Sequence, residues 1–220
     1  MKKIIGFVKC QPHYFWLYSA VTLIAHLLTY WLPDLLKTEQ YHLLGSAVDE
    51  AVPFIPGFIY IYMGSFVFWL LSYAYFYSLN QALAVRLLTA DLLCKAVAFF
   101  AYCLYPCMLS QPAPEEITGL GAWLVKFIYA SDKPTKLLPS MHCYVSILLA
   151  LPPFCRQAAG TPKWIKITFP LIALSICASA LFVKQHVFVD VWTAAVLAVS
   201  AWLISLLVWR KNDLKKQAAL

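Results

Sequence analysis

The chain has 220 residues, 62% of them hydrophobic and 12% charged, with a formal net charge of +7. Soluble domains run near half apolar and a quarter charged, so this composition excludes an ordinary water-soluble fold and places the chain in a bilayer. Its basic residues collect at the chain ends and in alternate loops, which excludes a nucleic-acid surface and reads as a topology signal.

A helical span needs about 20 mainly apolar residues. The chain divides into six such stretches, 14–32, 57–79, 87–108, 138–154, 167–183 and 187–209. The expected fold is an all-α membrane protein, one polytopic domain over 1–220, with about six transmembrane helices in one bundle and a short interfacial helix before the fourth span. Lys2, Lys3 and Lys9 precede the first span, which is too long for a cleavable leader and ends at Pro33-Asp34. A polar stretch follows, with Asp34, Lys37, Glu39, Asp49 and Glu50. Pro53 and Pro56 open the second span, where a missing N–H has no helical partner to lose.

Arg86 reads as a short turn before the third span. Inside that span Asp91 and Lys95 stand four apart on one helical side, a structural pair from which Lys95 can snorkel toward the helix end. Residues 111–116 break the chain, and 117–130 reads as the interfacial helix. Pro152-Pro153 stops the fourth span; Arg156, Lys163 and Lys166 fill the next loop, and the tail carries Arg210, Lys211, Lys215 and Lys216. The seven cysteines form no CxxC pair and are read as small hydrophobes, with no disulfide framework or zinc site.

Twelve basic residues fall on the side of both termini, against Lys37, Lys126, Lys133, Lys136 and Lys184 on the other, so both termini are expected in the cytoplasm. That orientation brings the start of the fourth span and the 184–186 turn together on the outer face.

These two places carry the chemistry. Ionisable groups at membrane depth are costly and point to function. Pro139 sets the backbone for a first helical turn, so the N–H groups around Ser140, Met141 and His142 point outward without helical acceptors, an arrangement that receives phosphate oxygens. His186 and Asp190 are four apart on one helical face. A carboxylate on one ring nitrogen fixes the tautomer and leaves the other nitrogen free to attack, the logic of a triad with imidazole as nucleophile. Lys184 stands two residues ahead and can neutralise phosphate charge. Taken alone, His13, His26 and His42 read as interface residues, Ser146 as packing, and Ala194 with Ala198 as a close helix contact.

The residues resemble the type 2 phosphatidic acid phosphatase superfamily of membrane lipid phosphatases and phosphotransferases. Pro139-Ser140-Met141-His142 matches its Pro-Ser-x-His motif. Ser179, Ala180, His186 and Asp190 match its Ser-Arg-x5-His-x3-Asp motif, with Ala180 where arginine is usual. The Lys-x6-Arg-Pro motif has only Gln111-Pro112 as its nearest counterpart. The variant is similar to the branch with a KQHxxxD third motif, related to inositol phosphorylceramide synthase and sphingomyelin synthase. The motifs lie within 105–194.

The resemblance implies His186 as nucleophile, Asp190 as its orienter, His142 as acid and base, and Ser140 as a phosphate ligand, with no metal and no cofactor. Without the two arginines, phosphate charge falls to Lys184, to the fourth span's N-terminus at Met141, and to Lys133 or Lys136. The expected activity is hydrolysis of a lipid phosphomonoester or pyrophosphate through a phosphohistidine at the outer face. The alternative is transfer of a phospho-head group to a lipid or polyol hydroxyl. A non-enzymatic transporter or redox protein, with His26, His142 and His186 as ligands or relays, is the rival from another class. The expected partners are a lipid phosphate and the bilayer, with no nucleic acid; the lysine-rich ends suit a bacterial inner membrane.

Overall fold

Among the described residues, five helices are long and apolar enough to cross a membrane, by length and composition. The computed structural model describes residues 11–36 and 40–218, with side chains to Trp209. Lys2, Lys3, Lys9, Lys37 and Glu39, and the side chains of Arg210, Lys211, Lys215 and Lys216, lie outside the described residues. The elements are α1 (His13–Leu36), β1 (His42–Leu43), α2 (Ala47–Ala51), α3 (Ile59–Leu79), α4 (Gln81–Leu104), β2 (Cys107–Met108), α5 (Ala122–Ser131), α6 (Met141–Ala150), α7 (Lys163–Phe182) and α8 (Phe188–Ala218).

The boundaries shift from the sequence reading for identifiable reasons. Helix α1 continues through Pro33, which is buried inside it. Helix α4 starts six residues before the expected 87 because Asn80 caps it, its side chain accepting from Leu83 N at 2.9 Å. Arg86 is therefore not a turn residue; it is buried inside α4. The same helix ends early, at Leu104, ahead of Pro106, and Cys107–Met108 pairs in parallel with His42–Leu43. Helix α5 falls where the interfacial helix was expected, with Val125 and Ile128 buried and Trp123 and Phe127 exposed. Gly121 (φ +81°) leads into it; a Cβ there would lie 2.7 Å from Ile59 Cγ2 and 2.9 Å from Pro56 O, so only glycine lets this loop cross the start of α3.

The largest revision concerns the fourth stretch. Its α-helix has only 10 residues, Met141–Ala150, extended by a 3-10 turn at Pro152–Phe154. At about 1.5 Å per residue it is shorter than the roughly 30 Å hydrocarbon core. Its surroundings explain why this is tolerated: α3, α4, α7 and α8 pack around it, and Cys143, Tyr144, Leu148 and Leu149 are fully buried. Backbone at membrane depth that is enclosed by protein need not match the bilayer. The long helices show the opposite pattern, exposing Leu23, Ile24 and Leu28 on α1, Leu70 and Leu71 on α3, and Leu203 and Leu207 on α8. Between α4 and α8 the close contact uses small residues: Ala90, Cys94 and Ala98 face a helix whose Ala194 and Ala198 are fully buried.

Candidate active site

One end of the bundle gathers the segments that the sequence singled out. The end of α7 and the start of α8 are joined by a tight turn in which Lys184 takes φ +49°. Gln185 N and His186 N both donate to Ala180 O, at 3.1 and 3.2 Å, fixing the turn against the last turn of α7. Around it, Tyr129 OH donates to Val183 O at 2.7 Å and Gln111 Nε2 to Lys184 O at 3.3 Å. Gln111, the nearest residue to the missing first motif, is thus a backbone anchor of this turn.

Asp190 stands in the first turn of α8, fully buried, where the positive end of the helix favours a carboxylate. Its Oδ2 accepts from Val187 N at 3.1 Å, as an acidic N3 residue does in a capping box, and lies 3.2 Å from His186 Nδ1. With Nδ1 donating to that oxygen, His186 is left with a lone pair on Nε2. The second carboxylate oxygen, Oδ1, is buried and has no hydrogen-bond partner.

His142 arrives from the first turn of α6. Ser140 N donates to Asp190 O at 3.3 Å, so the two helix starts are tied backbone to backbone. The His142 ring stacks on Tyr62 at 4.0 Å and contacts Phe66 and Trp69 at 5.4 and 5.1 Å between centroids. Trp69 is itself fixed, its Nε1 donating to Ser146 Oγ at 2.9 Å. The His142 and His186 rings face each other at 6.2 Å between centroids, and His142 Nε2 is buried without a partner. A cavity of about 350 Å³ runs between them, lined by both histidines, Met141, Gln185, His26, Tyr30, Tyr62, Phe66, Trp69, Tyr102, Asp132, Lys133 and Lys136.

The expected phosphate ligands do not all converge on this cavity. Ser140 is fully buried as the N-cap of α6, its Oγ accepting from Cys143 N at 3.3 Å, and Pro139 precedes the cap rather than opening the helix. Lys184 turns away: its ammonium donates to Asp49 O at 2.7 Å and Val52 O at 2.6 Å, holding the end of α2. Lys136 lines the cavity but is paired with Asp34 Oδ2 at 2.8 Å and lies 4.5 Å from the Tyr30 ring centroid. Lys133 also lines the cavity, with its side chain exposed. Met141 is in the lining, as its position at the helix start suggested.

Among the lining residues that the phosphatase reading left out are His26 and Gln185. His26, read as an interface residue, lies against Trp69 at 5.6 Å and faces the cavity. A signal existed: it shares a helical face with Thr22, Thr29 and Pro33, three of the four buried residues of α1. Gln185 gave no signal beyond its place beside His186. Burial, and next the Asp190 charge, push the Cys107 thiol up to about 11.

A fold of apolar helices thus encloses two facing histidines, one of them backed by a carboxylate. No family model matches this chain, and no curated protein and no solved structure matches it either.

Proposed function

We propose that this integral membrane protein is a phosphoryl-transfer enzyme that hydrolyses a phosphorylated lipid through a phosphohistidine on His186. One observation carries the reading: two imidazoles face each other at 6.2 Å across one cavity, and only one has a carboxylate behind it. That asymmetry gives the two rings different tasks. His186 Nε2 attacks phosphorus, the P–O bond to the lipid alcohol breaks, and His142 gives its proton to the departing oxygen. Asp190 stabilises the charge that develops on His186. In the second half, His142 takes a proton from water, the water oxygen attacks phosphorus, and the P–N bond breaks to restore His186. Positioning and charge stabilisation are most of what phosphoryl transfer requires.

The aromatic wall of Tyr62, Phe66 and Trp69 around His142 favours a second acceptor, an organic hydroxyl in place of water. It is apolar where the second nucleophile must arrive. The same phosphohistidine would then pass its phosphoryl group to a lipid or polyol alcohol. The charge bias of the loops supports cytoplasmic termini, with the cavity opening on the outer face of a bacterial inner membrane.

The test is phosphate release from a panel of lipid phosphates by detergent-purified protein, with chelator present. Activity in the wild type that vanishes in His186→Ala and His142→Ala is the expected result. Products that incorporate an added alcohol identify the transferase. Unchanged activity in both variants overturns the mechanism.

A further inference from the structure

Gln185 is 97% buried by its neighbours, with 3% of its surface exposed, and it lines the cavity between the two histidines. Its Nε2 nevertheless has no hydrogen-bond partner. A buried amide left unpaired is destabilising, and such groups in native proteins call for an explanation. The backbone gives none in terms of disorder. Gln185 N and His186 N share one acceptor, Ala180 O, so the side chain is carried on the same fixed turn as the histidine beside it. Ala180 contributes no side-chain donor there, Lys184 is committed to α2, and Ser140 to its own helix.

We infer that the Gln185 amide is a phosphoryl-oxygen ligand: its N–H groups donate to the nonbridging oxygens of the group transferred at His186. This rests on the phosphoryl-transfer reading above. The chemistry is that of an oxyanion hole, in which a side-chain amide held in advance meets charge as it develops and pays no reorganisation when the reaction occurs. His142 and Gln185 both line this cavity and each carries a buried Nε2 without a partner, so we take one tetrahedral group seated between the rings to satisfy both.

The experiment compares wild type, Gln185→Leu, Gln185→Glu and His186→Ala for three readouts: turnover, orthovanadate binding by thermal shift, and melting temperature without ligand. Losing one such donor lowers kcat by about 10²–10³-fold. The expected result is a loss of that size in Gln185→Leu, with vanadate affinity weakened at least roughly tenfold and the ligand-free melting temperature equal to wild type or higher, because an unpaired buried amide has gone. Gln185→Glu keeps the shape but turns a donor into an acceptor, and should lose at least as much. A merely structural glutamine gives the reverse pattern: a lowered melting temperature with turnover retained per folded molecule. Wild-type turnover and vanadate binding in Gln185→Leu or Gln185→Glu, alongside their loss in His186→Ala, overturn the role of Gln185 and leave the phosphoryl-transfer reading standing. A wild type that neither binds vanadate nor turns over any lipid phosphate overturns both.

Discussion

Two buried i,i+4 pairs in this protein look alike in sequence and differ in kind. Asp91 and Lys95 lie in the middle of α4, 0% and 2% exposed, with Nζ and Oδ2 2.6 Å apart. Both charged groups have further partners: Tyr73 OH donates to Asp91 Oδ1 at 2.7 Å, and Lys95 Nζ donates to Thr22 O at 3.1 Å. Next to them Thr22 Oγ1 and Tyr77 OH are 2.6 Å apart. Lys95 therefore does not snorkel; it joins α1, α3 and α4 through a closed network. His186 and Asp190 are equally buried, yet Asp190 Oδ1, His142 Nε2 and Gln185 Nε2 all lack partners. A satisfied buried network holds a fold together, whereas unpartnered buried groups beside a cavity call for another explanation.

Mutations should separate the two pairs. The largest effect is expected at His186: His186→Ala should lower kcat on the order of 10⁶-fold, as loss of a nucleophile does, with little change in melting temperature. Asp190→Asn should cost about 10⁴-fold in kcat by favouring the wrong tautomer of His186. The Asp91–Lys95 pair should respond in stability instead. Lys95→Met leaves a buried carboxylate without its cation and should cost about 3–5 kcal/mol in denaturation. The double variant Lys95→Met with Asp91→Leu should recover most of that loss, and turnover per folded molecule should stay at the wild-type level in both. A large kcat defect in the double variant would erase the distinction. The smallest effect belongs to Ser140→Ala, which removes a helix cap and should cost about 1 kcal/mol of stability with less than a tenfold change in kcat. A larger catalytic loss would restore Ser140 as a phosphate ligand.

The sequence carried most of the helices, because runs of apolar residues are a direct consequence of the bilayer's thickness. It did not show that the α-helix of the fourth stretch is only Met141–Ala150, with protein packed around it. Local composition cannot distinguish apolar surroundings made of protein from those made of lipid. The facing histidines and Asp190 were legible because an ionisable residue in such a run stands out. Hydrogen-bond commitments were not: whether Lys184 faces phosphate or the carbonyls of Asp49 and Val52 depends on where α2 lands, 132 to 135 residues away in the chain. The same holds for Ser140, whose motif position suits both a phosphate ligand and a helix cap, and whose Oγ accepts from Cys143 N.

The central claim is that His186 carries the phosphoryl group. Incubating purified protein with lipid substrate labelled in its phosphate, quenching in alkali and mapping the label tests it directly, since phosphohistidine survives base and is lost in acid. The account predicts acid-labile label on the peptide that contains His186 in the wild type, and none in His186→Ala. Turnover without label on that peptide, or label retained on His142 in the His186→Ala protein, would contradict it.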